Sequence, residues 1–242
     1  MRPRVALIIP TLNEAESIGA TVAEVPRVLV DQILIADSGS TDGTAAAAIA
    51  AGAQVLNAGR GFGRACLAAA RAADDADILL FMDGDGADDP AFIPDLLAPL
   101  LAGEADFVIA SRTRGQREPG SMAWHQVLAG EMAGLGMRAL YGVHFTDMCT
   151  FRAIRRDRLL ALGMGEMTYG WNIEMQMRVA RAGLRIREVP VAYRCRSGGT
   201  SKVAGNLSTS LRAGMRICAT FLRVARQPVP PAAVPVPAAS EM

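Results

Sequence analysis

The sequence predicts an α/β fold with a mainly parallel, twisted sheet flanked by helices on both faces. Three observations carry this expectation. Short apolar runs rich in β-branched residues alternate with helical, largely alanine-rich stretches four times before Ser111. The runs are punctuated by strong turn and helix-start signals, among them Pro10, the Ser38–Gly43 turn and Pro90. With 242 residues and 51% hydrophobic side chains, the chain has material for one large core.

The elements follow in order. Val5–Ile9 is a buried strand closed by Pro10, and Asn13 is placed to cap a helix starting near Glu14. Gln32–Ala36 is a second strand ending at Asp37, and the turn after it leads into an alanine-rich helix to about Ala51. Gln54–Leu56 is a short strand. The glycines of Asn57–Arg64 suggest a phosphate-cradling loop, but the third comes too early for a dinucleotide fingerprint. A helix then runs to Ala73. Residues 77–82 form a strand, 90–102 a helix opened by Pro90, and Ala105–Ala110 a further strand.

Beyond Ser111 the pattern loosens. Residues 112–121 read as a mobile polar loop, and 122–141 as a helix carrying Gly130, Gly134 and Gly136. Strands at 148–154 and 185–194 accompany helices at 155–162 and 172–183, and a Gly/Ser loop spans 195–205. Residues 206–226 form an amphipathic helix. We expect a single domain over residues 1–226, with a nucleotide and metal half (1–111) and an acceptor half (112–226), then a disordered Pro/Ala-rich tail at 227–242.

Charge divides the chain. Residues 1–106 hold 16 acidic and 6 basic side chains, whereas 107–242 hold 19 basic and 8 acidic ones. An acidic half suits metal capture, and a basic half suits phosphate or a lipid surface. Nucleic acid is disfavoured, because no basic run carries interleaved aromatics. No segment approaches a membrane span, and the apolar stretch after Met-Arg-Pro-Arg is too short for a signal peptide. Cys66, Cys149, Cys195 and Cys218 lack metal-ligand spacing and read as reduced thiols of a cytoplasmic protein. Lys202 is the only lysine.

The stretch Asp77–Asp89 says most about chemistry. An apolar strand delivers Asp83 and Asp85, two residues apart and on one side if the strand persists. Neighbouring carboxylates repel and lose solvation, and a divalent cation is the simplest reason to pair them. Gly84 and Gly86 leave room for a bulky ligand.

Pro10-Thr11-Leu12-Asn13-Glu14, the turn Asp37–Thr44 and Asp83-Gly84-Asp85 together resemble family 2 glycosyltransferases of the GT-A, nucleotide-diphospho-sugar transferase fold. Ser111-Arg112, Thr146-Asp147, Phe151-Arg152 and Gly198-Gly199-Thr200-Ser201-Lys202 narrow the likeness to polyprenyl- or dolichyl-phosphate sugar transferases. The resemblance covers about residues 4–224. It implies a nucleotide-sugar donor, with Asp37 on the base and Pro10, Thr11 and Glu14 lining the nucleotide pocket. Asp83 and Asp85 would hold Mg²⁺ or Mn²⁺ on the diphosphate. Arg112 would bind the acceptor phosphate, and the loop with Ser201 and Lys202 would close over the site. A polyprenyl phosphate brings its own ionised oxygen as nucleophile, so in-line, inverting transfer needs no dedicated base.

Two departures stand against the dolichyl-phosphate mannosyltransferase pattern. Ala87 occupies the usual place of a third metal ligand, where Asp88, Asp89 or water would have to substitute. A second phosphate-binding arginine after the polar loop is replaced by Trp124-His125-Gln126. One alternative is transfer to a soluble hydroxyl acceptor, with Asp147 or Glu174 as base. Another is a non-catalytic sugar-nucleotide-binding module, which the intact aspartate pair disfavours. The helix at 206–226 carries apolar residues at helical spacing, with Arg212, Arg216 and Arg223 available for anionic headgroups at the cytoplasmic face of a membrane; alternatively its apolar side packs on the sheet.

Overall fold

The structure, a computed structural model, describes residues 2–198 and 207–227. Its strands are β1 (Val5–Thr11), β2 (Gln32–Asp37), β3 (Gln54–Asn57), β4 (Ile78–Phe81), β5 (Phe107–Ser111), β6 (Arg152–Arg155) and β7 (Ile186–Pro190). The helices are α1 (Ile18–Ala23), α2 (Thr44–Ala50), α3 (Phe62–Ala72), α4 (Ile93–Leu101), α5 (Trp124–Tyr141), α6 (Arg156–Ala161), α7 (Trp171–Arg181) and α8 (Leu207–Ala225). All seven strands join one sheet in the order β3-β2-β1-β4-β6-β5-β7. Every pairing is parallel except those of β6, which runs antiparallel to both β4 and β5.

The central strands are continuous apolar runs because helices cover them. Val5–Ile9 and Ile78–Phe81 are buried throughout, as an interior parallel sheet requires. α3 packs on β1 and β2, while α4 packs on β5, β6 and β7. Two local expectations are corrected. Pro10 does not close β1, which continues in register with β2 through Thr11 and Asp37. The ladder to β4 has already ended at Ile8 and Phe81, so no partner on that side requires the missing N–H. Nor does Asn13 cap a helix. It adopts a left-handed φ of 53°, its N–H donates to Ser40 Oγ at 2.9 Å, and its Oδ1 accepts from the Thr41 N–H at 2.9 Å. It thereby ties the β1–α1 loop to the turn after β2, and α1 starts only at Ile18.

The last helix is fastened by buried carboxylates. Glu166 accepts from Arg216 Nε at 3.0 Å and from Thr220 Oγ1 at 3.1 Å. Glu174, fully buried on α7, accepts from Arg178 Nε at 3.0 Å and Arg223 Nη1 at 3.2 Å, and from the N–H groups of Gly165 and Glu166. Arg216 and Arg223 therefore face protein carboxylates, correcting the expectation that they meet headgroups. Ile217 and Phe221 pack against the core, while Leu211, Met215 and Leu222 stay more than half exposed.

Burial pushes the Glu166 carboxyl up, but hydrogen bonds from Thr168 and Arg216 outweigh it and hold its pKa below the usual glutamate value. A carboxyl lowered in the folded state adds stability above its unfolded pKa and loses it as pH falls through the folded one. Acidification below about 4.3 should therefore loosen α8. Glu166→Gln should cost roughly 2–3 kcal/mol in urea denaturation, less than a fully buried pair because Arg216 and Arg223 are partly solvated. The variant should also lack that acid-labile component.

Candidate active site

Parallel strands place their carboxyl ends on one edge of the sheet, and there β1, β2, β4, β5 and β7 deliver Thr11, Asp37, Asp83, Arg112 and Tyr193. Because β6 is reversed, its amino end lies on the same edge, with Asp147 and Thr150 just before it. Strand order reverses here, with β2 on one side of β1 and β4 on the other, and such a switch point is where open α/β sheets take their ligands, which singles out the edge between the Thr11–Glu14 segment and the aspartate loop.

The aspartate loop leaves strand geometry after Phe81, so Asp83 and Asp85 are brought together by a turn, not by strand alternation. Burial, then the Asp85 charge, pushes Asp83 up to about 6, with Arg112, Thr150 and Arg196 opposing. Asp88 is also buried and raised well above the usual range, by desolvation and then by Asp83, whose N–H it accepts at 3.0 Å. Asp89 stands apart, capping Ala91 and pairing with Arg194 at 2.8 Å. Asp83 and Asp88 stay raised by burial and by their carboxylate neighbours despite the arginines nearby, and hard oxygen donors crowded in this way fit Mg²⁺ or Mn²⁺. Among the described residues no group of three His, Cys, Asp or Glu side chains is arranged to hold a metal ion. Asp83 and Asp85 would thus be partial ligands completed by ligand oxygens and water.

The space beside the glycines is filled by protein, contrary to the expectation of ligand room. A Cβ on Gly84 would lie 3.1 Å from Ile9 Cγ2 and Thr11 Cγ2. Gly86 has φ +79°, and a Cβ there would lie 2.3 Å from Ser197 Oγ.

Arg112 does sit at this edge, close enough to Asp83 and Asp88 to affect both. Its fork, however, closes on Asp147: Nε donates to Oδ2 and Nη2 to Oδ1, both at 2.7 Å, and its backbone N–H donates to Oδ2 at 3.0 Å. The guanidinium also lies 4.9 Å from the ring centroid of Tyr193. Asp37 accepts from Thr11 Oγ1, Ser40 Oγ and the N–H groups of Gly39 and Ser40, so its carboxylate organises its own turn. Pro10 lies on the same β1 end, and the Glu14 N–H donates to Thr44 Oγ1 at 2.9 Å. Ser201 and Lys202, like the tail from Pro228, lie outside the described residues.

Three residues without an assigned role from sequence join the site. After β7 the segment Tyr193–Ser197 crosses the aspartate loop as a strap: the Arg194 N–H donates to Ala87 O and the Ser197 N–H to Asp85 O, both at 3.0 Å. From it, Arg196 places Nη1 3.2 Å from Glu14 Oε1 and Nη2 2.7 Å from Asp85 Oδ2. Tyr193 lies under Arg112. Arg152, fully buried, donates to the carbonyls of Thr150, Asn172 and Cys149, and burial pushes its pKa down to about 10. The available signals were Phe151-Arg152, already part of the motif set, and an arginine inside a Gly/Ser loop.

The family model for glycosyl transferase family 2 matches residues 6–162, and the chain belongs to this family. An uncharacterized glycosyltransferase of Mycobacterium tuberculosis is 36% identical over 211 residues, covering 86% of this chain and 93% of that protein. The undecaprenyl-phosphate mannosyltransferase of Micrococcus luteus is 33% identical over 222 residues, covering 84% of this chain and 89% of the relative. Among solved structures, glucosyl-3-phosphoglycerate synthase from Mycobacterium tuberculosis, in complex with Mn²⁺, UDP and phosphoglyceric acid, superposes with a TM-score of 0.73 at 25% identity. It covers 93% of this chain and 80% of the synthase. The chain thus has the GT-A architecture of that enzyme.

The closed Arg112–Asp147 pair generates a stability prediction. Arg112→Ala should strand a carboxylate that is 3% exposed and cost about 3–5 kcal/mol. Removing both partners with Arg112→Ala and Asp147→Ala should cost clearly less than the sum of the single changes, read by chemical denaturation as a double-mutant cycle.

Proposed function

We propose that this chain is a divalent-cation-dependent, inverting glycosyltransferase that carries a hexose from a nucleotide sugar to a polyprenyl phosphate. Asp83 and Asp85 hold the ion, which when bound offsets the charge of the departing diphosphate. Pro10, Thr11, Glu14 and Asp37 form the nucleotide side of the switch point, with Asp37 keeping its turn rigid against the base. Ser201 and Lys202, outside the described residues, enter this reading through the motif resemblance alone. Arg112 acts on the acceptor phosphate as a positive charge fixed by Asp147, so its contribution is field and orientation more than an open fork. Mn²⁺ and UDP in the structurally similar synthase support the donor side.

The observation that carries the lipid acceptor is a set of exposed apolar residues at helical spacing on each of two helices that meet at Gly136 and Phe221. On α5, Trp124 is 76% and Met132 63% exposed, with Leu128 and Leu135 at helical spacing between and beyond them. On α8, Leu211, Met215 and Leu222 repeat the pattern, and Gly136 of α5 lies so close to Phe221 that a Cβ there would come within 2.7 Å of its ring. No helix among the described residues is long and apolar enough to cross a membrane. These residues suit peripheral contact at a cytoplasmic membrane face, where the acceptor phosphate is exposed.

A second reading, transfer to a small hydroxyl acceptor, draws support from the phosphoglyceric acid in the similar synthase. It requires a general base. Both candidates are committed elsewhere: Asp147 to Arg112, and Glu174 to Arg178 and Arg223.

Nucleotide sugars should be screened with Mg²⁺ or Mn²⁺ against undecaprenyl phosphate and 3-phosphoglycerate in parallel. The expected product is a lipid-linked sugar, and Asp83→Asn or Asp85→Asn should lower its formation by at least ~100-fold without unfolding the chain. Transfer to 3-phosphoglycerate alone would overturn the lipid assignment.

Membrane contact is testable separately. The full chain should float with anionic liposomes, and Trp124→Asp with Met132→Asp should abolish flotation while leaving the fold intact by circular dichroism. Flotation unchanged in the double variant would mean that these residues serve another surface.

A further inference from the structure

The Arg196 guanidinium bridges the switch point, from Glu14 on the β1 side, at 3.2 Å, to Asp85 on the aspartate loop, at 2.7 Å. We infer that Arg196 is the resident counter-ion of Asp85, and that a divalent cation must displace it, so that metal and nucleoside diphosphate bind synergistically and the metal alone binds poorly. This rests on the reading of Asp83 and Asp85 as metal ligands.

The placement of Arg196 is built, not incidental. Its backbone neighbours are fixed by the Arg194 and Ser197 hydrogen bonds to Ala87 and Asp85, and Ser197 Oγ also donates to Asp85 O at 3.1 Å. Arg194 fastens the strap a second time, to Glu24 at 2.7 Å and Asp89 at 2.8 Å. The Gly86 backbone comes close enough under Ser197 that no side chain fits between them. Asp85 meanwhile uses Oδ1 to accept the Ala87 N–H at 3.0 Å, which leaves Oδ2 as the oxygen that carries Arg196.

A guanidinium and a divalent ion on the same carboxylate oxygen would repel strongly at a partly desolvated edge. Displacing the guanidinium alone costs its ion pair with Asp85. A nucleoside diphosphate changes the balance, because its negative oxygens offer the displaced guanidinium a new partner while the ion takes Asp85. Each ligand therefore favours the other, and by linkage the effect is reciprocal.

The test is Mn²⁺ binding, read from the free-ion electron paramagnetic resonance signal, with and without UDP or GDP. Wild type should bind Mn²⁺ weakly alone and more tightly with nucleotide. Arg196→Gln should bind Mn²⁺ alone about tenfold more tightly and show correspondingly less synergy, within the usual span of coupling between sites. Arg196→Lys, which keeps a charge on the strap and guards against unfolding, should fall between them, since a point charge holds Asp85 less firmly than the fork does. If both variants bind Mn²⁺ alone as wild type does while Asp85→Asn abolishes binding, the counter-ion role is wrong and the metal site stands. If Asp83→Asn and Asp85→Asn leave Mn²⁺ binding unchanged even with nucleotide, the metal reading fails and the inference falls with it.

Discussion

Three carboxylates drawn together in a low-dielectric edge have to be balanced, and much of the molecule is arranged to do so. Asp83, Asp85 and Asp88 come from one loop, yet the cations around them come from three separate places. Arg112 arrives from the end of β5, Arg152 from the start of β6, and Arg196 from the strap beyond β7. Reversal of β6 is what lets its amino end, with Asp147 and Arg152, reach the same edge as the carboxyl ends of its neighbours. The opposed charges of the two halves have an internal use as well. Arg156–Asp74, Arg185–Asp106, Arg194–Glu24 and Arg196–Glu14 all cross the divide near residue 106. Part of the basic surplus that suggests an anionic partner is consumed by the protein's own acidic half.

The sheet was legible because its strands are apolar runs punctuated by turn residues, and that pattern reflects burial directly. Strand direction was not legible at β6, since Arg152–Arg155 pairs the same way in composition whichever way it runs. Asn13 misled for a related reason: its side chain suits a cap or a bridge, and only the nearby Ser40 and Thr41 decide between them. The aspartate pair announced itself by like charges at a strand end. Arg196 did not, because Glu14 lies 182 residues earlier in the chain. Arg112 was recognised, but the Asp147 that closes its fork was weighed only as a base.

The proposed donor side and the proposed acceptor side differ in how the chain encodes them. The groups proposed for the nucleotide and the metal grow from strand ends, where backbone geometry places them, and the family motifs sit there in order. The features proposed for the acceptor depend on α5, α8 and the irregular segments between strands. Those segments are set by packing between helices, including the approach of Phe221 to Gly136, which composition does not reveal.

The clamp of α8 on Glu166 and Glu174 has a consequence beyond stability. Two carboxylates gripping one helix at Arg216, Thr220 and Arg223 stop it from rolling about its long axis. Its apolar side then keeps a constant bearing relative to the switch point. Any flat layer on which that side rests is held at a set tilt to the reaction centre, so recognition of the layer and aim of the mouth become a single rigid-body property.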